Sequence, residues 1–514
     1  MNQQLKKVLN LSDTSPVHRG SLQIVAATTT TIVYLHYLIH NSDLVVVRFW
    51  MSALILHSTN DLFVFTRGDV ASVEVLKKTL SLFATRSGMS PNLQKSDVFF
   101  GHVAPNVQAA IIECLPFRSG SFPIGYLGVP LSPVSLKMVD YGVLVTKVKH
   151  RLQNWKSKVL SFGGRKQHII SVLQSLQLYW MAIFLFPSGI IHELESLFRN
   201  FLWAQGDSSR GRCKVAWSLV CRPKECGGLG FRHLAAWNCA LIAKYLWAIL
   251  SSCNCLWIRH YSIRDMVFWS ARRTNRWSWV LVKMMGIRSD LRRYVSVHIG
   301  NGLTTNAWEY AWLSCGPLSM FISHRFIHAA SFYVSITVQQ LLEALPDGWP
   351  ITWIKRYPIL ASTGLPTIID GADDVRCWNL ASNGGGEFTV QKAYQAFVGQ
   401  FPTVSWRTLF GLRVITKHSF YLWTACLLRL PTQDRIAEWK HEPPDLKCSL
   451  CGIVRDSHNH LFFECTFSRQ RNRRLFVGDS KPIPHPVQLI LSCVFDRIAW
   501  KWRKKVLTMH DVVS

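Results

Sequence analysis

The sequence predicts an α+β chain of several domains, mostly helical after a small mixed N-terminal region and ending in a small C-terminal block. Three observations carry this expectation. Between residues 54 and 100 the apolar pattern runs strand, strand, helix, strand. After residue 131 apolar residues recur mainly at helical spacing. Near the C-terminus, cysteines and a histidine stand at chelating spacing.

Leu54-Ile55-Leu56 leads to the polar tip Ser58-Thr59-Asn60-Asp61, and Leu62–Phe65 follows, closed by Thr66–Asp69; this predicts a hairpin turning at Asn60-Asp61. Val73, Leu76, Leu80 and Phe83 predict a helix over Val70–Arg86, stopped by Gly88. Asn92–Phe100 returns to strand character. Amphipathic helices are expected over Val139–Trp155, Lys166–Leu185 and Ile190–Trp203, with basic outer faces. Gln205–Lys214 reads as an exposed connector and Gly384–Gly386 as another junction. Between them the chain is rich in Trp and Arg.

The chain has 514 residues, room for about three to four ordinary domains. Its hydrophobic content of 49% excludes general disorder. Lys and Arg number 58 against 30 Asp and Glu, a net charge of +28, which points to a polyanionic partner, most often RNA or DNA and less often a membrane surface. The 21 Trp residues add stacking surface. The 14 cysteines, mostly isolated, and the absence of a secretory pattern in Met1–Ser42 fit an intracellular, reducing location, the nucleus included. Gly20–Ser42 is uncharged but holds four consecutive threonines, Gln23, His36 and His40, so no membrane partner is expected.

The strongest chemical signal is Cys448-x2-Cys451-x8-His460-x4-Cys465. Two thiolates two residues apart can grip one ion from a tight turn, which Gly452 lets close. Three sulfurs and an imidazole at a count of four favour Zn²⁺ in a closed, structural site. His458 is the rival third ligand, although the apolar run Leu461–Phe463 favours His460. Cys213, Cys221, Cys226 and His233 could form a second site, but Cys239, Cys253 and Cys255 are equal candidates, and buried or half-buried thiols are the simpler expectation.

Phe388–Tyr394, Trp406, His418–Trp423, Arg429–Arg435, Trp439 and the cysteine–histidine cluster follow one another in an order that closely resembles the zinc-binding domain of plant LINE-type (non-LTR) retrotransposon reverse transcriptases. Upstream, Ser58–Gly68 is similar to that family's Phe-Ala-Asp-Asp palm motif, Ser87–Ser96 to the next palm motif, and Tyr126–Leu131 to its Tyr-Leu-Gly-x-Pro-Leu motif. Lys224–Gly230 and Ile299–Gly302, with Trp308 and Trp312, resemble its intervening region. The resemblance implies an unassigned segment at 1–53, a partial palm at 54–131, a helical thumb-like region at 132–204, a Trp-rich linker at 205–387, the zinc-binding domain at 388–474 and a basic tail at 475–514. In the zinc block, helices are expected over Lys417–Leu428 and, capped by Thr432, over Gln433–Trp439.

Nucleotidyl transfer in that family needs two metal ions held by carboxylates. Here Asn60 stands where the first aspartate of the pair belongs, only Asp61 remains, and the earlier carboxylate motif has no counterpart. The expectation is therefore an inactive remnant of an RNA-directed DNA polymerase. Lys95 resembles a phosphate-proximal lysine but reads more simply as a surface charge. Candidate nucleic-acid contacts are Lys147, Lys149, Arg151, Lys156 and Lys158 on the thumb-like helices, and Arg469, Arg471, Arg473 and Arg474 after the cluster. Two alternatives stand beside nucleic-acid binding: a structural or protein-interaction zinc module, and a decayed product without function.

Overall fold

The structure, a computed structural model, describes residues 23–24, 44–50 and 61–467, apart from 155–159, 204–212, 252–267, 275–276, 381–382, 406–419, 421–422, 435–446 and positions 89, 91, 127, 370, 431, 433 and 449. Asn60, Lys156, Lys158, Trp406, the four arginines at 469–474 and the basic tail lie outside these residues.

The N-terminal sheet holds β1 (Gln23–Ile24), β2 (Leu44–Trp50), β3 (Asp61–Arg67), β4 (Asp97–Gly101) and β5 (Arg118–Ser119), in the spatial order β1-β3-β2-β4-β5. Two helices accompany it, α1 (Val70–Ser87) and α2 (Pro105–Cys114). Helix α1 forms as its sequence dictates. The Asp69 carboxylate accepts the Ser72 N–H at 2.7 Å, and Gly88 ends the helix at φ +69°, donating its N–H to Ala84 at 2.9 Å. Val73, Leu76 and Phe83 share a core with Val45, Val64, Val98 and Ile111.

Two expectations change here. Strand β3 runs antiparallel to both β1 and β2, with Trp50 of β2 opposite Asp61, so Asp61 opens a strand instead of forming a two-residue tip; Leu54–Leu56, expected as the other arm, lie outside the described residues. Asn92–Ser96 is a turn before the strand: the Asn92 carboxamide accepts the N–H groups of Gln94 and Lys95, which leaves Lys95 exposed. Asparagine's habit of bonding nearby backbone outweighs the strand pattern.

Next come β6 (Ile124–Tyr126) and β7 (Val129–Leu131), paired through a turn whose Gly128 takes φ +82°. Helices α3 (Gly142–Asn154), α4 (Phe162–His168), α5 (Ser188–Trp203) and α6 (Leu234–Leu250) follow, and a wide turn over Ile169–Leu173 extends α4. Strand β8 (Val295–His298), helices α7 (His324–Ala329) and α8 (Ile351–Arg356), β9 (Val375–Leu380), β10 (Asn383–Gly386) and α9 (Val390–Val398) complete the elements used below. The glycines expected at a junction form β10, which pairs with β9 in a sheet ordered β10-β9-β8. Glycine is tolerated on such an edge because pairing uses only the backbone.

Chain contacts divide the described residues into two compact units. One comprises residues 1–143, 178–190 and 235–399; the other comprises 144–177, 191–234 and 400 onward. No helix of the described residues is long and apolar enough to cross a membrane.

The first unit is held at several points by polar side chains that serve the backbone. Asn238, fully buried on α6, accepts the Phe186 N–H and donates to the Met181 and Phe184 carbonyls at 2.7–2.8 Å. Asp374 gathers the N–H groups of Gly300, Gly302 and Thr304 and the hydroxyls of Thr304 and Thr305, at 2.8–3.3 Å. Burial alone would raise its pKa, but these donors outweigh burial and hold the carboxyl below its ordinary value. A depressed pKa contributes stability above the unfolded value of about 4 and loses it as pH falls through the folded one. Asp374→Asn is expected to cost about 2 kcal/mol at neutral pH, since the amide turns a donor toward donors. Thermal melts between pH 7 and 3 check this: the wild type should lose the extra stability on acidification and the variant should show less of that slope.

Candidate metal centre

The four ligand candidates come from two short pieces of backbone. Lys447 and Arg455 form an antiparallel bridge, the Cys448 N–H donates to the Val454 carbonyl at 2.8 Å, and the Gly452 N–H donates to the Cys448 carbonyl at 2.7 Å. Gly452 takes φ +67°, a left-handed conformation costly for other residues. The result is a tight knuckle with Cys448 and Cys451 on it.

The other two ligands flank a wide helical turn. The Ser457 hydroxyl accepts the His460 N–H at 3.1 Å and its carbonyl accepts the Leu461 N–H at 2.8 Å. The Cys465 N–H then bonds the His460 carbonyl at 2.7 Å, the five-residue step of a π-turn over His460–Glu464. In an ordinary α-helix of 3.6 residues per turn, residues five apart point about 140° away from each other. Widening the turn brings His460 and Cys465 toward one side.

The ligand atoms of Cys448, Cys451, His460 and Cys465 all lie within 4.8 Å of one another, and Cys451 Sγ stands 3.2 Å from His460 Nε2. A tetrahedral zinc with Zn–S bonds of 2.3 Å has sulfur–sulfur edges of about 3.8 Å, so only small shifts separate this arrangement from a coordination shell. Cys448, His460 and Cys465 are buried and Cys451 is half-buried. Burial pushes the Cys448 thiol up. Cys451 is instead lowered to about 6, chiefly by the backbone N–H groups of Val454 and Ile453 and further by His460. Backbone donors turned toward one sulfur stabilise its thiolate, the form that binds metal. The donor set and its spacing therefore fit a zinc ion.

His458 is engaged elsewhere. Its Nε2 accepts the Leu430 N–H at 3.0 Å, and its Nδ1 lies 3.4 Å from the Thr432 hydroxyl. The rivalry between the two histidines resolves in favour of His460, and His458 ties the segment after Leu428, which takes φ +53°, to the metal region. Of the helix expected over Lys417–Leu428, Phe420 and Trp423–Cys426 are helical, Leu427 and Leu428 form a turn and the rest lies outside the described residues; the helix expected over Gln433–Trp439 lies outside the described residues except for Asp434.

A glycine-rich loop emerges as a second support that motif spacing did not flag as functional. Trp423 is almost fully buried and its Nε1–H donates to the Gly227 carbonyl at 2.9 Å. Gly227 and Gly230 take positive φ, and a Cβ on Gly228 would meet the Arg222 carbonyl oxygen at 2.0 Å. Val404 N–H bonds the Glu225 carbonyl, and Arg222 lies over the Phe401 ring at 4.7 Å. Phe420 packs on Phe162 at 3.8 Å between ring centres. The signal was there in Gly227-Gly228-Leu229-Gly230, three glycines in four positions.

Of the other candidates, Lys147, Lys149 and Arg151 are exposed on α3, opposite buried Leu144, Val145 and Val148. Lys149 is paired with Glu193 at 2.9 Å. Among the described residues the upstream cysteines do not converge: Cys213, Cys221 and Cys226 lie against the carbonyls of Val215, Arg232 and Phe401, and Cys253 and Cys255 lie outside the described residues. Among the described residues the Cys448 group stands alone as a cluster able to hold a metal.

The family model for zinc-binding in reverse transcriptase matches residues 388–471. A protein of Arabidopsis thaliana whose name assigns it provisionally to ribonuclease H is 26% identical over 359 residues, 65% of this chain and 56% of that protein. An uncharacterised mitochondrial protein of the same plant is 29% identical over 145 residues, 27% of this chain and 93% of that protein. The chain thus spans just over half the length of the larger relative. Residues 388–471 are thus similar to the zinc-binding region of reverse transcriptases, and the cluster able to hold a metal lies inside the matched span.

Metal analysis of the purified chain should find about one zinc per molecule, and Cys451→Ser or His460→Ala should abolish it. His458→Ala should keep the metal and lower the melting temperature by several degrees, since it removes a buried acceptor. In chelator-treated protein, Cys451 should alkylate at lower pH than the other thiols, because a lowered pKa leaves the thiolate present above it.

Proposed function

We propose that the chain is a LINE-type retrotransposon reverse-transcriptase remnant of the plant type that binds RNA or DNA, carries one structural zinc and does not polymerise. The observation that carries this reading is the convergence of Cys448, Cys451, His460 and Cys465 inside the region that matches the reverse-transcriptase zinc-binding model. Four protein ligands fill a tetrahedral zinc and leave no position for a reacting water, so the ion's role is to hold the fold.

Loss of polymerase activity follows from charge. Two divalent ions beside a triphosphate need anionic ligands, and Asn60 offers one neutral oxygen where the family has a carboxylate. Asp61 opens β3 and by itself is too little to hold two ions. Binding remains feasible because it needs only cations and stacking surface. Lys147 and Arg151, one helical turn apart and both exposed, can neutralise neighbouring phosphates. Three sulfur ligands need a reducing environment to stay free of disulfides, which fits an intracellular, including nuclear, place of action.

An isolated protein-docking zinc module fits less well. Trp423 bonds Gly227 and Phe420 packs on Phe162, so the metal-bearing segment shares its core with the helices before it. Primer extension with Mg²⁺ or Mn²⁺ on an RNA template should give no product above background, and template-dependent extension would overturn the inactive assignment. Nucleic-acid affinity should fall steeply between low and moderate salt. Lys147→Ala with Arg151→Ala should lower the salt slope by about 1 to 2.

A further inference from the structure

In the Trp-rich part of the first unit, two short helices bring cations and aromatic rings to one surface. Helix α7 carries Arg325 and Phe326, and the end of α8 carries Lys355 and Arg356, followed by Tyr357. Phe326 meets Tyr357 edge-on at 5.2 Å and Trp353 edge-on at 5.2 Å, and these contacts hold the two helices together. The Arg356 guanidinium lies 5.2 Å from the centre of the Phe326 ring and 6.0 Å from that of Tyr357.

Within the two helices every charged side chain is basic. Arg325, Lys355 and Arg356 are exposed, and none is ion-paired among the described residues. His324 and His328 are exposed on the same short helix. The sequence has no Asp or Glu between Glu309 and Glu343, nor between Asp347 and Asp370. A merely solvated helix face would intersperse acids with these bases, as Glu193 does for Lys149 on the other unit.

We propose that this surface is a second nucleic-acid site, one that takes an unpaired strand. The rings hold the Arg356 plane for a base to stack on, with Tyr357 at its edge, and Arg325 and Lys355 meet the flanking phosphates. A duplex hides its base faces and would use only the charges. The site rests on the reading of the chain as a nucleic-acid binder for its class of ligand, but it lies on residues separate from Lys147 and Arg151.

The test uses the full zinc-loaded chain and fluorescence anisotropy with a short labelled oligo(U) and a blunt RNA duplex of equal length. Arg325→Ala, Lys355→Ala and Arg356→Ala combined should weaken oligo(U) binding about tenfold near 0.1 M salt and lower the salt slope by about 1.4, two phosphate contacts at about 0.7 each. Arg356→Lys should keep the slope yet weaken oligo(U) severalfold, and should leave the duplex nearly unchanged. An unchanged melting temperature shows that each variant is folded. Wild-type affinity and slope in the triple variant would overturn the site. So would an equal loss on duplex with Arg356→Lys, or competition by poly-glutamate as strong as by oligo(U). If the triple variant is silent while Lys147→Ala with Arg151→Ala abolishes binding, this inference fails and the reading of α3 stands. If the wild type binds neither nucleic acid, both fail.

Discussion

Three sulfurs and one imidazole nitrogen within 4.8 Å are the constraint around which the C-terminal part of this chain is arranged. Thiolates so close repel one another unless a cation sits among them, and thiols so buried give up solvation for little return. The surrounding backbone is built to hold them there. Gly452 turns the knuckle, the Ser457 hydroxyl starts the helical turn, and the π-step over His460–Glu464 swings Cys465 into line with His460. An ion with four ligands relieves the repulsion and makes each of these local choices consistent with the others.

Part of this was legible in the residues and part was not, for physical reasons. Helix α1 could be read end to end because its information is local: an acidic N-cap, a 3.6-residue apolar stripe and a terminal glycine. The ligand set could be read because chelation imposes short spacings. The partner of β3 could not be read correctly, since any β-branched run can pair and only tertiary contacts choose Leu44–Trp50. His460 was already favoured by the apolar run Leu461–Phe463, but what occupies His458, a hydrogen bond to Leu430 28 residues away, is encoded by no spacing rule. The glycines at 384–386 looked like a break because their missing side chains hide a strand that pairs through backbone alone.

The metal-bearing segment is not insulated from what precedes it. Residues 400 onward cluster with 144–177 and 191–234, whereas 388–399 cluster with the other unit, where Tyr394 meets Trp237 and Phe388 stacks on Trp247. A region recognisable as one block in sequence is thus shared between two cores. The aromatic residues that mark it, Trp423 and Phe420 on one side and Phe388 and Tyr394 on the other, are its anchors to those cores.

Gly228 gives this arrangement an evolutionary reading. Every missense change in a glycine codon adds a carbon where the Arg222 carbonyl oxygen already stands 2.0 Å away, so no replacement at that codon is conservative. In a lineage copied without purifying selection the codon would drift like any other, and in one kept for use it would stay fixed while its neighbours change. The position is a natural recorder of whether relatives of this chain have been retained for a purpose or merely carried along.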